Sequence, residues 1–492
     1  MPRPRSFLAG RAALATAFAL FVLIGILGKS AAKPPLGPRG WAPGALPWAL
    51  GPAATSVALA AAYVLGAVGV VLALRDPRPA RPTVIAALAI AALVTMPFGS
   101  ADHTNYAAYG RIALLGGDPW VESPIAWGGG HDPVTSGVQP PWQQTPSIYG
   151  PVATLAQAVA AWGGGENLRQ VVWVWQLLIV LAWLAARWLL RRLFPQHAGR
   201  VDALWTLNPV LFATAVLGAH VDLLATAAAL AALLLARSHR LTLALAAGLA
   251  AGAAIGAKVT AGVVLVAIVA GWVVESRRRL AGPSTGDARS PTRSAGRIAL
   301  LLLGAGLVVA PTQLWAGPHV FDQLGRSRRS ISLATPWRKA YGWFGGALGD
   351  STLRSVIFVA AAIMCLLLAW CLWRIVGPGN GRPGDVAIRL TLVLSLAYAA
   401  AAPYSLPWYD QLVWALLPPI VVTALDRLQI ARALVLGLAY VPGRVVGMTP
   451  AVEAVTLGWR RDAAPAAAVL VWLALAWLAS TSSSVRRRPR AG

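Results

Sequence analysis

Long apolar runs recur along almost the whole of this chain. A helix needs roughly 17–25 mostly apolar residues to cross a bilayer. Runs of that kind lie near 7–28, 53–75, 83–98, 168–190, 201–218, 222–236, 241–257 and 259–274. Others lie near 297–315, 353–376, 386–402, 408–425, 428–442 and 464–480. The pattern predicts an all-α polytopic membrane protein, with about 12–14 transmembrane helices in one domain over residues 1–492. Composition agrees: 57% of residues are hydrophobic and only 12% charged, about half the charged share of soluble domains. Too few polar residues remain to cover a soluble surface, so lipid must cover part of it.

The net charge of +25 does not point to nucleic acid, because no basic stripe or binding motif is present. The basic residues form short clusters between apolar runs, as topology signals do. Basic MPRPR precedes a run from Phe7 to Leu27, which is longer than a signal-peptide core and predicts a retained signal anchor. Placing MPRPR and Arg11 in the cytoplasm also puts RDPRPAR (75–81), Arg187, Arg191, Arg192, RSHR (237–240), the arginines of 277–279 and the tail 481–492 inside. That register requires Pro151–Trp162 to be interfacial or re-entrant, and it makes both termini cytoplasmic. The loops 29–52, 99–167, 218–222, 316–352, 403–408 and 443–463 then fall outside, with a turn near Lys258. Residues 280–296, rich in Gly, Ser, Pro and Arg, read as a cytoplasmic linker. Cys365 and Cys371 share one apolar run; on a helix they lie about 9 Å apart along the axis, which excludes a bridge.

The loop 99–167 carries most of the polar chemistry. Asp102 and His103 stand at its membrane boundary, and TNYAAYGRIAL has helical spacing that puts Asp102, Tyr106 and Tyr109 on one face. Asp118, Glu122 and Asp132 occur among Trp120, Trp127 and Trp142; the tryptophans read first as an interfacial belt with solvated acids beside it, while carboxylates beside flat aromatics also suit a sugar's hydroxyls and its C–H face. A GAHVD turn places His220 and Asp222 at the mouth of an apolar hairpin, and GAKVT places Lys258 at another; ionisable groups at membrane depth are functional candidates. The loop 316–352 carries Arg326, Arg328, Arg329, Arg338 and Lys339 on the side where cations are disfavoured, and such a cluster suits either a bound anion such as phosphate or a general attraction to anionic lipid headgroups. PYSLPWYDQLVW adds Trp408, Tyr409 and Asp410.

The D-H-x-x-x-Y-x-x-Y-G-R loop with GGDPW, YGP at 149–151, the NP…GAHVD hairpin and PWY at 407–409 together resemble the actinobacterial polyprenol-phosphate-mannose-dependent α-1,6-mannosyltransferases. The likeness runs from about residue 95 to about 425. It implies the C-type glycosyltransferase fold, a plasma-membrane location and an extracytoplasmic active site on the first large loop. It also implies inversion at the anomeric carbon, with a polyprenyl-phosphate-linked sugar as donor and a glycan, lipoglycan or secreted peptide as acceptor. Asp102 corresponds to the catalytic aspartate. The candidate substrate-binding residues, read from the sequence and the resemblance together, are His103, Tyr106, Tyr109, Arg111, Asp118, Tyr149, His220, Asp222, Lys258, Arg329, Arg338, Trp408 and Tyr409. Many relatives carry two adjacent acids where this chain has Ala101-Asp102-His103, a departure that weakens any assignment of a metal or a second acid; no cofactor is expected, and a divalent metal is not indicated. Relatives usually read GAHND where this chain has GAHVD, so His220 and Asp222 are kept and Val221 replaces the asparagine. The same fold with an arabinofuranosyl or glucosyl lipid donor, and a transporter or lipid flippase, are the competing expectations; a flippase would need a midplane site open to both sides.

Overall fold

The computed structural model describes residues 4–280, 291–322, 325, 330–379, 381–443 and 447–486. Among them every regular element is a helix and no strand occurs. The chain is an all-α polytopic membrane protein, the outcome expected where each backbone polar group must be satisfied within its own segment. Seven helices among the described residues are long and apolar enough to cross a bilayer: Leu8–Ile26, Pro52–Ala73, Leu168–Leu193, Val259–Arg278, Ser294–Ala316, Asp350–Val376 and Pro450–Ser482. The pair Pro209–Leu217 and Asp222–Ala236, bent by 110°, makes an eighth if it is one broken span. Other apolar runs form shorter helices, Pro82–Val94, Leu241–Ala257, Asp385–Ala401 and Thr423–Ala439. The run at 408–425 is no single rod: a 3-10 turn, Pro407–Asp410, leads into Gln411–Leu416, and Pro418-Pro419 cannot continue that helix.

Local chemistry sets several boundaries. Pro52, Pro82, Pro151 and Pro450 open their helices, where a missing N–H costs nothing. Asp350–Val376 stops at Gly377, with φ +67°. That helix exposes Phe358, Ile363, Leu366 and Trp370, an apolar band for lipid to cover, and its two cysteines are unbonded. The N-terminal helix Pro4–Ile26 packs against Pro52–Ala73, with Phe21 and Ile24 buried.

The basic segments gather at one end of the bundle. Buried Asp202 accepts from the backbone N–H of Ala80 and from Arg187 and Arg191, at 2.8–3.1 Å. Arg200 pairs with Asp426 at 3.0 Å, and Arg237 donates to the carbonyl of Leu193 at 2.7 Å. These contacts join 75–81, 187–202, 237–240 and the start of Thr423–Ala439. The loop 99–167 and the GAHVD turn take no part in them.

Small residues place the opposite elements. Lipid tails are as apolar as leucine, so helices in a membrane associate through close packing. Gly248, Gly252 and Gly256 recur every fourth residue on Leu241–Ala257, which packs on Pro291–Ala316. A Cβ at Gly304 would sit 2.3 Å from the carbonyl of Leu245, and one at Gly150 only 2.2 Å from that of Gly256. The second approach ties the segment after Tyr149 to the helix that ends at Lys258. Gly304→Val is therefore expected to destabilise the bundle by about 1–3 kcal/mol or more, read as a lowered melting temperature in detergent. An unchanged melting temperature would contradict this close approach.

Candidate functional site

Asp102 opens the helix Asp102–Leu114, in which His103 through Ile112 are all buried. Ser100 Oγ accepts the Asp102 backbone N–H at 3.3 Å, and Thr104 Oγ1 donates to the Ala101 carbonyl at 2.8 Å. The helix packs on Pro151–Gly164 so closely that a Cβ on Gly110 would lie 2.1 Å from the Gln157 carbonyl. Arg111 then closes the loop onto itself, donating to Asp132 at 3.0 Å and Glu166 at 3.2 Å.

His220 arrives through an irregular hairpin. Asn208 caps the backbone N–H groups of Val210 and Leu211, and Pro209 starts the next turn. The flanking segments Asp202–Thr206 and Phe212–Leu217 are π-helical, a geometry frequent at functional sites. Ala219 sits at φ +54°, a left-handed conformation that costs a residue with a Cβ. The Trp175 indole holds it there by donating to the Ala219 carbonyl at 2.8 Å. The His220 ring stacks on Trp408 at 3.8 Å, with planes 10° apart. Its Nδ1 lies 3.4 Å from the Tyr106 hydroxyl and 3.6 Å from an Asp102 oxygen, and its Nε2 lies 3.5 Å from Ser100 Oγ. Tyr106 meets Tyr149 edge to face at 5.0 Å.

Asp222 begins the helix Asp222–Ala236 and is ion-paired with Lys258. The Lys258 ammonium also lies over the Tyr409 ring, 3.9 Å from its centre. Burial pushes the Asp102 carboxyl up to about 7; the charge of Asp222 adds to the rise, and Lys258 opposes it. The Asp102 side chain remains 15% exposed, so it can be reached while exchanging a proton near neutral pH.

The structure thus brings together Asp102, Tyr106, Tyr149, His220 and Trp408, and beside them Asp222, Lys258 and Tyr409. His103 is buried in the same helix, and the Tyr109 hydroxyl donates to the Thr145 carbonyl at 2.8 Å. Other expected contributors are engaged elsewhere. Arg111 forms the ion pairs given above, and Asp118 accepts from the Trp120 N–H at 2.9 Å, shaping a turn. Arg338 is exposed, 5.2 Å from the Tyr341 ring. Arg326, Arg328 and Arg329 lie outside the described residues. Asp410 is buried against Arg432 and accepts from Gln429 at 2.9 Å, so it supports the fold under the site instead of lining an open rim.

Two residues were not singled out from sequence. Arg460, in the π-helical segment Trp459–Ala463, lies 4.2 Å from the Tyr440 ring centre, and Tyr440 abuts Trp408 at 5.9 Å. Its sequence signal was a cation in the loop 443–463. Gln411 is the second, a neutral side chain in an apolar run. Among the described residues no group of three or more His, Cys, Asp or Glu side chains is placed to hold a metal ion.

Residues 13–274 match the family described as alpha-(1->6)-mannopyranosyltransferase, N-terminal domain. A probable alpha-(1->6)-mannopyranosyltransferase of Mycolicibacterium smegmatis is 35% identical over 133 residues, 26% of this chain and 23% of that protein. The alignment therefore spans less than a quarter of that relative's length. No solved structure matches. Asp102, His220, Asp222 and Lys258 lie inside the family match, whereas Trp408, Tyr409, Gln411 and Arg460 lie beyond it.

Proposed function

The chain belongs to the alpha-(1->6)-mannopyranosyltransferase family, and we propose that it moves mannose from a polyprenyl-phosphate donor to an acceptor hydroxyl at the extracytoplasmic face of the plasma membrane, inverting a β-phosphate linkage to an α-mannoside. The observation that carries this reading is Asp102, largely buried, 3.6 Å from the His220 ring, with its carboxyl pushed up to about 7 by that burial. A general base works best with a pKa near the operating pH. Asp102 takes the acceptor hydroxyl's proton as that oxygen bonds to the anomeric carbon. The bond from that carbon to the phosphate oxygen breaks, and polyprenyl phosphate leaves with the electron pair. Phosphate is a competent leaving group, so no strong general acid is needed. Lys258 offsets the charge that develops on it, and Arg460 supplies a second cation near the aromatic wall. His220, fixed by Trp408, and Asp222 position sugar hydroxyls. The acceptor is a glycan, a lipoglycan or a secreted peptide.

Transfer of label to product from polyprenyl-phosphate mannose, but not from nucleotide-linked mannose in membranes lacking the lipid carrier, tests the donor class. The pH dependence tests the base. The ionised carboxylate is the active form, so kcat/KM is expected to rise with pH to a plateau, with an apparent pKa near 7. A profile flat from pH 5 to 8 would remove Asp102 from that role.

A further inference from the structure

Beside the Asp222–Lys258 pair lies a cavity of about 50 Å³. Asp222, Lys258 and Tyr409 line it together with Thr226, Ser395 and Gln411. Gln411 is 1% exposed, and among the described residues neither its amide oxygen nor its amide nitrogen has a hydrogen-bond partner; the Ser395 hydroxyl has none there either. Leaving such a group buried and unpaired opposes folding, and an apolar side chain of similar shape would serve the fold better. Among the described residues its neighbour Asp410 does not relieve it: Asp410 Oδ2 accepts from Arg432 and Gln429, and its Oδ1 has no partner either. A donor and an acceptor on one rigid amide, with a hydroxyl nearby, await a group that itself both donates and accepts. Sugar hydroxyls do this. At roughly 10–15 Å³ per water-sized probe, the space suits a few waters or one edge of a hexose.

We propose that Gln411, assisted by Ser395, hydrogen-bonds hydroxyls of the donor sugar and thereby sets which sugar is transferred. The assignment rests on the lipid-linked-donor reading above and adds its specificity determinants. A pocket built to bond a hydroxyl discriminates strongly against a sugar that lacks it, because its polar groups are then left unpaired.

The test compares kcat/KM for polyprenyl-phosphate mannose and its 2-, 3-, 4- and 6-deoxy analogues in wild type, Gln411→Met and Ser395→Ala. Comparing proteins on the same donor cancels each analogue's intrinsic reactivity. Gln411→Met is expected to lose about 10- to 100-fold on the natural donor and nothing on the analogue that lacks the hydroxyl it bonds. Ser395→Ala, a small change that keeps the fold, is expected to show the same selectivity more weakly. Equal losses on every donor, or no loss on any, would overturn the assignment. Asp102→Asn, measured alongside, separates the two readings. Selective loss at Gln411 with an active Asp102→Asn protein retains the sugar contact and removes the base. Uniform loss at Gln411 with an inactive Asp102→Asn protein does the reverse.

Discussion

Replacing Asp102 by asparagine is expected to lower transfer by about 10²–10⁴-fold, the usual contribution of a positioned general base, while leaving the protein folded. The amide keeps the shape of the carboxyl beside His220 and Tyr106 but cannot take the acceptor's proton. Stability separates lost chemistry from lost fold. The folded-state pKa of Asp102 is raised above its usual value, so ionising it opposes folding. Wild-type stability therefore falls as pH climbs from the ordinary carboxylate range to about 7. The asparagine variant carries no such cost and should melt no lower than wild type at pH 8. An inactive variant that also melts early would make the loss structural.

The second large effect belongs to Lys258. Lys258→Met removes the cation proposed to face the leaving phosphate and leaves Asp222 buried without its partner. Transfer is expected to fall about 10²–10³-fold, and stability by about 3–5 kcal/mol, the cost of an uncompensated buried charge. Asp222→Asn combined with Lys258→Met separates the two: the pair should recover much of the melting temperature and none of the transfer. Recovery of transfer in the pair would show that Lys258 serves only to neutralise Asp222. Residual activity carries a further sign. Lys258 holds the Asp102 carboxyl down and Asp222 pushes it up, so the acid limb should move to higher pH in Lys258→Met and to lower pH in Asp222→Asn.

The residues that stood out in the sequence did so because charge is expensive in an apolar chain. Asp102, His220, Asp222 and Lys258 interrupt apolar stretches at turns, and the structure brings them side by side. What sequence could not show was which polar groups are used up by one another. Arg111 read as a ligand for substrate, yet Asp132 and Glu166, 21 and 55 residues further on, close on it. Asp410 met Arg432 in the same way. Gln411 carries no charge and has an ordinary apolar context, so its significance lies in an amide left without partners among the described residues, which only the packed structure reveals. Hydropathy found the apolar runs but not their regularity. Asn208-Pro209 and Pro418-Pro419 break runs that read as single rods, and Ala219, in the turn expected between two runs, takes a left-handed conformation that delivers His220 to Trp408.

Purified protein in nanodiscs, supplied with labelled β-polyprenyl-phosphate mannose and acceptor, allows the central claim to be tested through the anomeric configuration of the product. Direct attack with Asp102 as base predicts an α-mannoside from the wild type and essentially no product from Asp102→Asn. A β-mannoside, or an α-mannoside formed by the asparagine variant at the wild-type rate, would contradict it.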